Sequence, residues 1–231
     1  MRVFHAALIA VVTLLVVWSP VAVAQAPDNE SVYVVTYIEV APSAGIETGN
    51  LLRRLALASR KETGNLRYDV LQQIDRHDQF AILETWSDAK AFEAHGGGAP
   101  MKRFRDELSP LRIAFYDQRR DTGIDVGPIP ALAGKDAIIV ITHVDVTGPF
   151  KDEAIAAMKK FADSSRREAN SVSYEVWQQN NRLNHFTVTE VWKEQAALDA
   201  HTVAPGTREF REKLGPMLGA LYDDRRYKAL E

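Results

Sequence analysis

The sequence predicts an α+β fold: two tandem βαββαβ modules with antiparallel sheets, packed against each other within one chain. Three observations lead there. The chain aligns with itself without a gap, strands and helices follow the same order in both copies, and one sheet face of each copy carries apolar residues with nothing of its own to cover them. The repeat is the strongest of the three. Glu62, Tyr68, Val70, Gln72 and Gln73 recur as Glu168, Tyr174, Val176, Gln178 and Gln179. The same offset relates Phe80/Phe186, Glu84/Glu190, Trp86/Trp192, His95/His201, Phe104/Phe210, Pro110/Pro216, Tyr116/Tyr222 and Arg119-Arg120/Arg225-Arg226. From Tyr33 to Arg120, roughly 28 of about 88 paired positions are identical, too many for a chance match.

Each element has its own warrant. The β-branched run Val32 to Val40 reads as a strand, as does Ile138 to Val146, and Pro42 and Gly148-Pro149 end them. Leu52, Leu55 and Ala56, and in the second copy Phe150, Ile155, Met158, Phe161 and Ala162, fall at helical spacing. Gly64-Asn65 and Asn170-Ser171 supply turns. Alternation at Leu66, Tyr68, Val70 and Gln72, then at Phe80, Ile82, Glu84 and Trp86, predicts two strands joined as a hairpin through Asp75 to Asp78. Ser87-Asp88 suits the start of a second helix that ends near His95, before Gly96-Gly97-Gly98. An amphipathic stretch, Met101 to Leu108, then leads past Pro110 to a last strand ending at Arg119-Arg120.

This order is that of a ferredoxin-like sandwich, with helices on one face of the sheet. On the other face lie Leu71, Ala81 and Leu83, with Trp177 and Val191 in the second copy. Two such sheets facing each other bury both sets, which predicts a pseudo-dimeric α/β barrel. The expected boundaries are 31–120 and 137–227, with a linker at 121–136. About sixteen extended residues span roughly 50 Å, enough to bring the sheets together.

The motifs E-x-G-N-x-x-Y-D-V-x-Q at Glu62 to Gln72, F-x-I-x-E-x-W at Phe80 to Trp86, A-x-x-A-H at Ala91 to His95 and F-R-x-x-L-x-P-L at Phe104 to Leu111 resemble the antibiotic biosynthesis monooxygenase family of the dimeric α/β-barrel superfamily. The second copy repeats each in weaker form. The resemblance implies a fused dimer, and a cofactor-independent oxygenase acting on a quinol or polycyclic phenol. The heme-degrading branch carries an Asn, a Trp and an axial His where this chain has Thr36, His95 and Arg105, and Thr142, His201 and Arg211. None of the three residue types matches.

Several retained residues suit such chemistry, and each has a plainer role open to it. His95 and His201 can accept a phenolic proton, or close a helix C-terminus. Glu84 and Glu190 sit on a mostly apolar face and need a partner: His95 or His201, a backbone amide, or an Arg. Tyr68 and Tyr174 can orient a quinol oxygen or dioxygen, or bond a core carbonyl. Trp86 and Trp192 can stack on a substrate or anchor the core. Thr36 and Thr142, beside Tyr37 and His143 on strand one, can border a substrate or be plain strand residues. Tyr37 and His143 hold one matched position with different chemistry, a sign of diverging function if that position borders the barrel interior. Arg119-Arg120 and Arg225-Arg226 read as surface charge.

Composition narrows the classes further. The 231 residues contain no cysteine, which excludes disulfides, thiolate metal sites and cysteine nucleophiles. The formal net charge is -3, with no basic face for nucleic acid. No metal-ligand spacing, phosphate loop or flavin fingerprint occurs, so no cofactor is expected. Arg2, the apolar run Ala6 to Val17 and Ala22-Val23-Ala24 read as a signal peptide over 1–24, with an uncleaved N-terminal anchor as the alternative; cleavage places the mature protein in the periplasm or outside the cell and off the membrane. The alternatives to an oxygenase are a noncatalytic binding or protective protein for small aromatic molecules and, behind it, an isomerase.

Overall fold

The computed structural model describes residues 30–129 and 134–230. The segment read as a signal peptide lies outside them. Among the described residues no helix is long and apolar enough to cross a membrane.

Module 1 consists of β1 (Val32–Glu39), α1 (Gly45–Ser59), β2 (Asn65–Gln73), β3 (Arg76–Trp86), α2 (Ala89–Gly97), α3 (Ala99–Leu108) and β4 (Asp117–Asp125). Module 2 repeats it with β5 (Ile138–Asp145), α4 (Lys151–Ser165), β6 (Ser171–Gln179), β7 (His185–Trp192), α5 (Gln195–Val203), α6 (Pro205–Leu214) and β8 (Asp223–Ala229). The eight strands close into one barrel in the order β1-β3-β2-β8-β5-β7-β6-β4. Closure leaves no unpaired strand edge.

Local signals explain the element ends. Asp88 caps α2, its carboxylate accepting the Ala91 N–H at 2.8 Å. The amphipathic stretch after it is a separate helix, because Gly98 turns extended (φ -67°, ψ 153°) and Pro100 opens α3. One boundary differs from expectation. The last strand of module 1 does not end at Arg119-Arg120 but runs to Asp125, where Asp121, Thr122 and Gly123 pair with Gln179, Gln178 and Trp177 of module 2. On the other seam β8 pairs with β2, from Leu71↔Ala229 to Gln73↔Tyr227. Extended backbone past Arg120 is stable because the other module satisfies its N–H and C=O groups.

Three layers of core follow from strand alternation. Val32, Val34 and Ile38 of β1 pack outward under Leu52, Leu55 and Ala56 of α1. Val144, Val176 and Val188 do the same under Met158, Phe161 and Ala162. The opposite faces, Leu71, Ala81 and Leu83 against Ile139, Trp177 and Val191, fill the barrel lumen. Trp177 and Leu71 are 0% and 1% exposed, and full burial of an aliphatic or aromatic side chain is worth about 1.5–3 kcal/mol. The lumen is therefore the joint core of the two modules.

Candidate active site

In each module a histidine, two glutamates, a tryptophan and a tyrosine meet between the sheet and the second helix. Glu84 and Trp86 stand two apart on β3 and so share a face; Tyr68 lies opposite Glu84 in the β2–β3 register. His95, at the C-terminal end of α2, drops onto them. Its ring stacks on Trp86, with centroids 4.6 Å apart at 29°, and meets Tyr68 edge-on at 5.5 Å. The expected direct Glu84–His95 pair is present only loosely: His95 Nε2 lies 3.7 Å from Glu84 Oε2. That oxygen instead accepts the Trp86 indole N–H at 2.9 Å. The histidine's close partner is Glu62, whose Oε2 is 2.9 Å from Nδ1.

Module 2 reproduces the arrangement. His201 Nδ1 lies 3.0 Å from Glu168, its Nε2 is 3.7 Å from Glu190, and Trp192 donates to Glu190 at 2.9 Å. The Trp192 and His201 ring centroids are 4.5 Å apart. Both histidines thus bond one carboxylate through Nδ1 and face a second at 3.7 Å, rather than capping helix carbonyls. Bonded to Glu62 or Glu168, Nδ1 carries the proton, which leaves Nε2 as the basic nitrogen facing the sheet.

Burial sets the electrostatics. Desolvation pushes the Glu84 carboxyl up to about 7, against the opposing indole bond. It raises Glu190 likewise, with His201 pulling the other way. His95 is lowered by burial, and Glu62 partly offsets the shift. Tyr68 and Tyr174 are held well above the ordinary phenol range by burial and by Glu84 and Glu190 respectively, so both are hydrogen-bond donors at neutral pH. Thr36 and Thr142 complete the floor. Their hydroxyls face those of Tyr116 and Tyr222 respectively. In module 2 these groups surround a cavity of about 30 Å³ lined by Thr142, Glu190, His201 and Tyr222, room for one or two waters.

Tyr37 and His143 do not join these sites. They are on β1 and β5 but face the lumen, on the other side of the sheet. The Tyr37 ring lies between the guanidiniums of Arg119 and Arg225, at 5.0 and 5.3 Å. Arg119, which Asp117 grips through both oxygens, donates to His143 Nδ1 at 3.1 Å. Because arginine only donates, His143 carries its proton on Nε2 and passes it as a hydrogen bond to His185 Nδ1 at 3.1 Å. His185 Nε2 ends the chain 3.4 Å from Asp145. Burial and Arg119 pull His143 down to about 4. Arg119 and Arg120 are thus half-buried and engaged, not the plain surface charge their position at a strand end suggested.

Glu62, Glu168, Tyr116 and Tyr222 join the site from outside the strand and helix positions that the sequence marks, although all four are identical across the repeat. The turn after α1 brings Glu62 to a histidine 33 residues away. Among the described residues no group of three His, Asp or Glu side chains is placed to hold a metal ion.

Comparison with known proteins agrees with this architecture. Among curated proteins, the chain is 34% identical over 115 residues to the uncharacterized protein sll1783 of Synechocystis, covering 48% of this chain and 78% of that one. It is 31% identical over 81 residues to the "Putative monooxygenase YcnE" of Bacillus subtilis, covering 35% of this chain and 85% of that one. A solved structure of a "Putative monooxygenase" from Fusobacterium nucleatum superposes with a TM-score of 0.80 at 15% identity, over 87% of this chain and 93% of that chain. The likeness to that structure is one of fold, and it spans both modules. The antibiotic biosynthesis monooxygenase family model matches twice, over residues 31–107 and 137–213. The chain therefore belongs to the antibiotic biosynthesis monooxygenase family, as a tandem pair of its domains closed into one barrel.

Proposed function

We propose that this is an exported, cofactor-independent monooxygenase for a quinol or polycyclic phenol. The observation that carries the reading is the carboxylate–histidine–carboxylate arrangement beside a neutral tyrosine. Glu62 or Glu168 holds the imidazole so that Nε2 takes the substrate's phenolic proton, and the carboxylate stabilises the imidazolium that results. The phenolate is electron-rich enough to reduce dioxygen directly. One oxygen atom enters the ring carbon, whose hydrogen leaves with a hydroxyl hydrogen as water, so a hydroquinone plus O₂ gives a hydroxyquinone plus H₂O. Tyr68 or Tyr174 donates to the oxygen that gains charge. Export rests on the N-terminal apolar run and small-residue site.

The cavity of about 30 Å³ is far below the about 300 Å³ of an ordinary ligand pocket. Substrate entry therefore requires the second and third helices to part from the sheet. An oxygen electrode tests the reading, with chelator-treated protein and a panel of hydroquinones and anthrones. Uptake is expected to survive chelation and to fall about 100-fold or more in the double variant His95→Ala/His201→Ala. Saturable binding of these compounds without oxygen uptake would make the protein a binding module instead.

A further inference from the structure

The two sites share their residues but not their access. In module 2 the cavity touches Glu190, His201 and Tyr222 and reaches Arg226, which is exposed. In module 1 the matched Arg120 is half-buried. Its guanidinium lies 5.5 Å over the Phe92 ring, and its Nε is sealed from solvent without a hydrogen-bond partner. Leu198 stands in place of Phe92 in module 2 and offers no π face to a cation. Deeper in, Met101 is 0% exposed within the module 1 core. Its counterpart Thr207 is smaller and turns its hydroxyl to the His201 carbonyl at 2.6 Å. The consequence shows at the reactive atoms. Glu84 Oε1 and His95 Nε2 are both sealed in without a hydrogen-bond partner. The Glu84 and His95 side chains are 0% exposed, whereas Glu190 and His201 are 8% and 4% exposed.

We infer that module 2 holds the working site and that Phe92, lying under Arg120 and packed on the module 1 core that contains Met101, is a plug that shuts the matching site of module 1. A plug of this kind accounts for the sealed, unpartnered polar atoms of module 1: they keep the geometry of the site and have lost its traffic. It also assigns the difference between modules to two substitutions, Phe92 against Leu198 at the mouth and Met101 against Thr207 behind it. As a statement about catalysis, the inference rests on the function proposed above; as a statement about access, it stands on packing alone.

Diethyl pyrocarbonate acylates neutral imidazole nitrogens that solvent reaches, and tests access without any substrate. The full-length protein is treated, and peptides carrying His95 and His201 are followed by mass spectrometry, with exposed His77 as the reference. His201 is expected to react about tenfold or more faster than His95. Phe92→Leu and, independently, Arg120→Ala should raise the His95 rate, and Leu198→Phe should lower that of His201. Equal rates in the unmodified protein, or a His95 rate unmoved by both module 1 variants, overturn the inference. Where a hydroquinone is turned over, Leu198→Phe should cut oxygen uptake about tenfold; undiminished uptake overturns the assignment to module 2. If no quinol is turned over, the functional reading fails alone, and the labelling ratio still decides access.

Discussion

Glu84 is held on the apolar side of β3 with one oxygen on Trp86 and the other unbonded. Its raised pKa is a statement about stability. The folded state keeps a proton that the unfolded chain releases between 4.5 and about 7, so the contribution of Glu84 is present at acid pH and is lost as pH rises through that window. Asp121, lifted by burial from 3.8 to about 7 and bonded to Thr187, has the same sign. His143, lowered from 6.5 to about 4, has the opposite sign and costs stability as pH falls through its window. Glu84→Gln keeps the indole bond and removes one titration. Its urea midpoint is expected to fall less than the parent's between about pH 4 and about pH 8, by on the order of 3 kcal/mol in unfolding free energy. An unchanged pH slope would show that Glu84 titrates normally. The participants at this scale were legible, since Glu84, Trp86, His95 and Tyr68 all recur across the repeat. Their pairing was not: alternation puts Glu84 and Trp86 on one face, but nothing in a spacing of two says that the indole, rather than the imidazole, bonds the carboxylate.

At the scale of elements, the turn between α1 and β2 carries a site residue and a constraint together. Gly64 has φ +82°, and an added Cβ would stand 2.5 Å from Ala91 Cβ and 2.6 Å from Ser87 Oγ. The turn lies against the start of α2, and it holds Glu62 at the end of its reach to His95. Gly64→Ala is therefore expected to cost about 2 kcal/mol, read from chemical denaturation. Asn170→Gly, at the matched position of module 2 with φ +65°, should be within a few tenths of neutral. Equal effects would place the strain elsewhere. Turn chemistry at both positions was readable because only small or amide side chains tolerate that backbone. The end of β4 was not. Residues past Arg120 look like a linker, with Gly123 among polar neighbours, yet Gly123 is where the strand presses on Tyr33: a Cβ there would meet the ring at 2.7 Å. What makes this stretch a strand is β6, which belongs to the other module.

Across the whole molecule, the lumen joins the modules through polar contacts as well as apolar ones. Arg67 Nε bonds Asp69 at 2.6 Å within module 1, and its Nη1 reaches Glu175 of module 2 at 3.2 Å, with Thr189 adding a bond to Glu175 at 3.3 Å. Arg67 is matched by Ser173, so one cation serves carboxylates of both copies, an asymmetry that a pair of identical subunits would not need. Removing it leaves two carboxylates in the lumen without their cation. Arg67→Ala is expected to cost about 3–5 kcal/mol in a single cooperative transition. A loss under about 1 kcal/mol, or two separate transitions, would show that the modules do not share this core.

The duplication, the element order, the apolar lumen face and most members of the histidine clusters follow from the sequence alone, because periodicity and repetition are local or self-referential and can be read along one chain. Tertiary structure decided what depends on contact between distant segments. It closed the barrel through β4 and β8, paired Glu62 with His95 and Glu168 with His201, and divided Tyr37 and His143 from the residues they seemed to accompany. It also set Arg120 over the Phe92 ring in one copy and left the matched Arg226 exposed in the other. Each of these turns on which surfaces meet across the fold, and that is settled by packing and desolvation rather than by order along the chain.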